Sequence, residues 1–298
     1  MQLERFAPAK VNLLLHVGPL GADGYHPISS LATFADVGDV VSFGLAPQME
    51  FAIEGPFAEG LTADGANLVT RARDLVLAAL PDPPKPFRLT LEKRLPIASG
   101  LGGGSSDAAA TLMLLGEAYA WAWLTDDASE TALADLAGTL GADTPMCLKA
   151  LPVIAEGRGE ALSFPPVFPD LDAVLVNPLL PSSTGAVYRA YDDADAAKSA
   201  DPPDWPEVLV SVDDVVAFLS GCRNDLEAPA ISLQPAIAEV LRALRERPET
   251  LFARMSGSGA TCFAICASDR DARDLAFSLS SFHPGWWVQA CRLAGRRP

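Results

Sequence analysis

Pro96-Ile97-Ala98-Ser99-Gly100-Leu101-Gly102-Gly103-Gly104-Ser105-Ser106-Asp107-Ala108-Ala109-Ala110 sets four glycines and three serines directly ahead of a run of alanines. Upstream, Phe87 to Leu91 alternates apolar and polar residues as a strand does. Downstream, Ala108 to Trp123 is rich in strong helix formers. Strand, glycine loop, helix is an order in which a helix N-terminus holds an anion. Glycines let the backbone come close, Ser105 and Ser106 stand where an N-cap belongs, and the helix directs its free N–H groups and positive dipole end at the loop. The same residues equally suit a capped helix after a loose turn, so the loop alone leaves both readings open. A Walker A loop requires a lysine that does not follow these glycines. A GxGxxG fingerprint fails because the sixth position is Ser105 or Asp107. Asp107, in the first turn of the expected helix, suits the dipole yet repels a phosphate unless it points away or Mg²⁺ lies between.

Outward from the loop, short apolar runs separated by turn signals predict strands at Val11 to Val17, Ile28 to Phe34 and Val40 to Phe43. Asn67 to Leu80 has helical spacing and stops at Pro81. Further strands are expected at Ala173 to Val176 and Cys262 to Cys266, with a glycine turn, Ser256-Gly257-Ser258-Gly259, before the last. Segregated strands and helices with few strict βαβ alternations indicate an α+β fold. The length of 298 residues suggests two domains, and the turn Glu156-Gly157-Arg158-Gly159-Glu160 with the Pro-rich run after it puts the boundary near residue 160, giving 1–160 and 161–298.

Twenty-two Lys and Arg against 38 Asp and Glu give a formal net charge of −16. An extended nucleic-acid surface is disfavoured, because phosphate neutralisation supplies most of that affinity; a small phosphorylated ligand is not. Five cysteines without a CxxC pair signal neither a disulfide framework nor a zinc site and read as reduced, mostly buried thiols. The first residues lack a signal-peptide pattern and no apolar run reaches the ~20 residues of a bilayer span. A soluble, cytoplasmic protein with no membrane partner is expected. His16 and His283 read as structural.

The opening stretch, Pro96 to Ala110, closely resembles the ATP-binding motif of the GHMP kinases (galactokinase, homoserine, mevalonate and phosphomevalonate kinases), whose glycine- and serine-rich loop wraps the nucleotide phosphates. Ala7-Pro8-Ala9-Lys10-Val11-Asn12-Leu13 resembles the first motif of that family, and Met255-Ser256-Gly257-Ser258-Gly259-Ala260 the third. Ala22-Asp23-Gly24-Tyr25-His26, Gly141-Ala142-Asp143-Thr144-Pro145 and Asn224-Asp225-Leu226-Glu227 narrow the resemblance to a member whose acceptor is a cytidine diphosphate-linked methylerythritol. The matches run in order over nearly the whole chain. Two departures are small: Thr144 replaces a β-branched apolar residue, and Asp107 takes a place often held by Asn.

The resemblance implies a two-domain fold with the active site in the interdomain cleft, ATP with Mg²⁺, and transfer of a phosphoryl group to an alcohol. It makes Asp143 the base and Lys10 the cation beside it. By residue pattern alone Asp143 reads as an Asx turn, whereas Lys10, alone among apolar neighbours in a strand, needs a partner. ATP is placed by Asn67, Leu68, Lys93 and Pro96, and by Gly100, Leu101, Gly102, Gly103, Gly104, Ser105 and Ser106. The acceptor is placed by Asn12, Tyr25, His26, Thr184 and Tyr188, with Tyr25 stacked on the cytosine, Tyr188 covering its other face and His26 reading its edge. Magnesium is expected without a carboxylate cluster, since it keeps waters and takes few protein ligands. Another GHMP kinase acceptor (mevalonate, homoserine or a sugar) and a non-catalytic nucleotide sensor are the competing readings; a sensor needs no base and lysine together.

Overall fold

The computed structural model describes residues 2–80, 82, 84–119, 127–194 and 199–294. In chain order the elements are β1 (Gln2–Val17), β2 (Ile28–Leu45), β3 (Glu50–Glu54), α1 (Leu68–Ala79), β4 (Phe87–Glu92), α2 (Gly103–Ala118), α3 (Asp127–Gly138), α4 (Thr144–Lys149), β5 (Val153–Gly157), β6 (Ala161–Ser163), β7 (Leu171–Asn177), α5 (Thr184–Asp193), α6 (Val212–Ser220), α7 (Glu227–Leu233), α8 (Ala236–Arg245), β8 (Thr250–Met255), β9 (Cys262–Cys266), α9 (Asp269–Phe282) and β10 (Trp287–Leu293). The fold is α+β.

The chain gathers into two compact units, and neither is contiguous in sequence. The first takes residues up to Ala9, Gly38–Ile97 and Gly102–Ala150; the second takes Lys10–Val37, Ala98–Leu101 and the chain from Leu151 on. In the first unit, the end of β2 pairs antiparallel with β4, from Val40 opposite Glu92 to Leu45 opposite Phe87. On its other edge β4 pairs in parallel with β3, and α1 is the crossover that a parallel connection requires. Along β4, Phe87, Leu89 and Leu91 face inward while Arg88 is exposed, the period-2 pattern of a sheet with one buried face. Those residues share a core with Val69, Ala72 and Val76 of α1 and Leu112, Leu114 and Leu115 of α2.

In the second unit β10, β7, β9 and β8 form an antiparallel sheet, and the start of β2 pairs with β5. Ile237, Val240, Leu241 and Leu244 of α8 and Leu275 and Leu279 of α9 share a core with Val174 and Val176 of β7 and Cys262 and Ala264 of β9. Four of the five cysteines are buried and all are free thiols. Among the described residues, no helix is long and apolar enough to cross a membrane.

Three expectations are revised. The runs at 28–34 and 40–43 are one strand, because Asp36 to Asp39 does not break it. A Cβ on Gly38 would stand 2.2 Å from the Ala7 carbonyl oxygen, so this glycine admits a neighbouring backbone inside the ladder. The helix expected over 108–123 starts five residues earlier, at Gly103, and closes at Ala118; residues 120–123 of that expectation lie outside the described residues. Its N-cap is Gly102, at φ 61°, and no side chain caps it. Ser105 and Ser106 are therefore first-turn residues, not the cap.

His16 and His283 have structural surroundings. His283 stacks on Trp286 with ring centroids 3.8 Å apart. The His16 Nε2 accepts from the Arg223 N–H at 3.4 Å, so its Nδ1–H donates to the Asp201 carbonyl at 2.9 Å, and the ring is neutral. Burial holds its pKa below the usual histidine value. An unfolded chain takes up a proton there as pH falls through ~6.5 while the folded one resists, so stability is full above that pH and declines below it. Thermal melts should show Tm falling from pH 7 to 5.5, with part of the fall absent in His16→Gln; identical pH profiles would remove His16 from the acid response.

Candidate functional site

Beneath the start of α2 lies a buried ion cluster. Lys93, at the end of β4, bonds through Nζ to Asp39 Oδ2 and, at 2.9 Å, to Asp107 Oδ2. Asp39, fully buried on β2, also accepts from the Arg94 and Leu95 N–H groups at 2.6 and 2.8 Å. Burial opposes the lysine charge, but Asp107 and Asp39 outweigh it and raise the Lys93 pKa. Burial pushes the Asp107 carboxyl up to about 7 against the pull of Lys93, and its Oδ1 has no hydrogen-bond partner. The repulsion between Asp107 and a phosphate is thus relieved by a lysine within the protein. A Cβ on Gly103 would come 3.0 Å from Lys93 Nζ, and one on Gly104 would come 3.4 Å from Leu68 Cδ1. Asn67, Leu68, Lys93 and the glycines therefore share one neighbourhood of the first unit. Asn67 is the N-cap of α1, its side chain accepting from the Val69 N–H and donating to the Thr62 carbonyl. Pro96 is buried at the head of the loop.

The Asp143 turn belongs to the same unit. Asp143 is the N-cap of α4 without making a side-chain cap hydrogen bond. A Cβ on Gly141 would stand 3.6 Å from Thr144 Oγ1 and 4.0 Å from Ser105 Oγ, so the turn lies against the glycine-rich first turn of α2. Thr144 Oγ1, the hydroxyl that departs from the family pattern, is buried with no hydrogen-bond partner among the described residues.

In the second unit, residues 98–101 rest on the Ser256–Gly259 turn. Ser256 Oγ donates to the Gly100 carbonyl at 2.9 Å, and the Thr261 N–H donates to the Ser99 carbonyl at 3.0 Å. Gly100 has φ 76°, and a Cβ there would stand 2.4 Å from the Ser256 carbonyl oxygen, so both conformation and space demand glycine. Lys10 takes its place beside this turn: its N–H donates to the buried Leu101 carbonyl at 2.8 Å and its Nζ to Asn12 Oδ1 at 3.1 Å. Asn12 in turn donates to Ser30 Oγ through its side-chain amide and to Ser256 Oγ through its backbone N–H. The Asn224 to Glu227 motif clamps the turn from behind. Asn224 Nδ2 donates to the Met255 and Gly257 carbonyls, Glu227 accepts from the Met255 N–H, and Asp225 accepts from the Val17 N–H.

The expected acceptor residues lie in the second unit as well. Tyr25 is 57% exposed, with the Arg158 guanidinium 4.7 Å above its ring and paired to Asp23 at 2.6 Å. His26 bonds through Nε2 to Asp192 Oδ1 at 2.8 Å. Tyr188 lies against the His26 ring, 4.9 Å between centroids. Thr184, at the start of α5, is 2.9 Å from Ser258 Oγ in the third motif. Lys10 falls in the second unit and Asp143 in the first. Asp39 and Asp192 were not singled out from sequence, and Arg158 and Ser256 were named only as members of a turn and a motif, with no role of their own. An acid between two apolar runs, with Asp36 nearby, is the signal that marked Asp39, and nothing local marked Asp192.

Comparison with known proteins bears directly on this arrangement. The family description "GHMP kinases N terminal domain" matches residues 67–150, and "GHMP kinases C terminal" matches residues 214–285. A 4-diphosphocytidyl-2-C-methyl-D-erythritol kinase of Caulobacter sp. (strain K31) is 55% identical over 296 residues, 99% of either chain. Another of that name, from Caulobacter vibrioides (strain NA1000 / CB15N), is 55% identical over 295 residues, 99% of this chain and 100% of its own. The chain belongs to the GHMP kinase family. The crystal structure of a 4-(cytidine 5'-diphospho)-2C-methyl-D-erythritol kinase, 33% identical, superposes with a TM-score of 0.75 over 99% of this chain and 100% of that one.

Membership makes the chain an ATP-using kinase of small molecules. No group of three or more His, Cys, Asp or Glu suited to a metal occurs among the described residues. The donors the phosphate loop itself offers a cation are serine hydroxyls, a type that serves alongside nucleotide phosphates and water. Of the two loop serines, Ser106 donates to the Pro8 carbonyl at 2.6 Å and is buried, and Ser105 is half-buried.

Proposed function

We propose that this kinase transfers the γ-phosphoryl group of ATP to the 2-hydroxyl of 4-diphosphocytidyl-2-C-methyl-D-erythritol, a cytoplasmic step of the non-mevalonate route to isoprenoid precursors. The observation that carries the phosphoryl-transfer chemistry is the turn of Asp143 lying against the first turn of α2. The turn brings the Asp143 carboxylate beside a helix start that no side chain caps and whose N–H groups suit phosphates. Asp143 takes the proton of the attacking hydroxyl, and Lys10, held by Asn12, stabilises the alkoxide that develops. Gly100 to Ser106 cradle the phosphates, with Asn67, Leu68, Lys93 and Pro96 around the nucleoside. Ser105 would hold a magnesium ion carried on ATP, which would supply charge neutralisation on the phosphates when bound.

The acceptor assignment rests on the relatives' activity and on Tyr25 and His26, with Asn12, Thr184 and Tyr188 lining the site. With ATP and purified protein, phosphate transfer should require the cytidylated acceptor; transfer to mevalonate or homoserine in its place would move the assignment to another branch of the family. Tyr25→Ala should weaken acceptor binding by ~1–3 kcal/mol, the worth of one base on an aromatic platform, and leave the KM for ATP alone. An unchanged acceptor KM would make Tyr25 a partner of Arg158 only.

A further inference from the structure

Asp192 has no part in the chemistry above, yet it holds the histidine assigned to the acceptor. The His26 ring is gripped by one face of α5: Tyr188, Tyr191 and Asp192 stand at helix positions i, i+3 and i+4. Tyr188 lies tilted on the ring, Tyr191 meets it edge-on at 5.8 Å, and Asp192 Oδ1 is 2.8 Å from Nε2. Tyr191 is itself tied down, its hydroxyl donating to the Val17 carbonyl. The His26 side chain is only 9% exposed, so the imidazole has little freedom to turn or exchange partners.

A carboxylate only accepts, so the proton of a neutral imidazole facing it sits on Nε2, and Nδ1 becomes the ring's acceptor. We propose that Asp192 is a positioning residue for base specificity, fixing His26 as the Nε2–H tautomer so that Nδ1 receives the exocyclic amine of a cytosine and rejects the carbonyl that uracil carries at the same place. This rests on the reading of His26 as the reader of the acceptor's base. An amine there completes a hydrogen bond. A carbonyl sets lone pair against lone pair and leaves both unpaired, the arrangement that discriminates most strongly.

The test compares the cytidylated acceptor with its uridine counterpart in wild type, Asp192→Ala, Asp192→Asn, His26→Ala and the double variant His26→Ala/Asp192→Ala. Asp192→Ala should raise the acceptor KM about tenfold, the loss of roughly one hydrogen bond. It should lower the preference for cytosine by a similar factor, with the change in KM rather than kcat and none in the KM for ATP. Asp192→Asn should recover most of the preference, because its amide oxygen also accepts from Nε2–H. For acceptor KM and base preference the double variant should be no worse than His26→Ala, since Asp192 reaches the base through that ring. Wild-type preference in Asp192→Ala, equal losses for ATP and acceptor, or additive losses in the double variant would each overturn the proposal. A wild-type enzyme with no activity on the cytidylated acceptor would instead overturn the reading of the substrate on which it rests.

Discussion

Asp143→Asn should lower kcat by ~10²–10⁴-fold, the range a positioned general base contributes, while the KM values for ATP and acceptor stay near wild type. The amide keeps the shape of the side chain and cannot accept the hydroxyl proton as a carboxylate does. Asp143 makes no side-chain cap hydrogen bond to α4, so the substitution removes no helix cap. That separation gives the measurement its force: steady-state kinetics and a melting curve on the same preparation distinguish a lost base from a damaged turn. Wild-type turnover in the folded variant would remove Asp143 from the reaction.

Asp39→Ala should lower stability by about 3–5 kcal/mol, the cost of removing one partner from a buried ion pair. The carboxylate is fully buried and satisfies Lys93 and the Arg94 and Leu95 N–H groups together. Its loss leaves the ammonium with Asp107 alone and strands two backbone donors. Against a total stability of ~5–15 kcal/mol this is a large fraction, and it falls on the segment that leads into the glycine loop. Urea denaturation should show the midpoint shift, with Asp39→Asn intermediate because the amide oxygen still accepts from the backbone. An unchanged midpoint would mean that the cluster is decorative.

Much of the fold was legible in local pattern. The strand ending at Leu91, the helix from Asn67 and the strand Cys262–Cys266 follow from periodicity and punctuation, because each buries one face and its residues alternate accordingly. The glycine loop was legible too, since few residues tolerate what Gly100 must do. Family membership needed only the ordered motifs. The start of α2 was misjudged because glycine and serine are poor helix formers by propensity. Residues 103–107 are helical where tertiary packing over Lys93 and Leu68 holds them, and packing overrides propensity.

The chain alone thus determined which motifs of the family are present and their order. Only the tertiary structure decided their partners. Lys93 is expected near the nucleotide from sequence, and the fold adds that it centres a buried cluster with Asp39, 54 residues away. Asp192 grips His26 across 166 residues, and residues 10–37 join a unit built mostly from the far half of the chain. Burial and charge pairing act through space with no regard for separation along the chain, and a buried charge takes its partner from whichever segment the fold brings within reach.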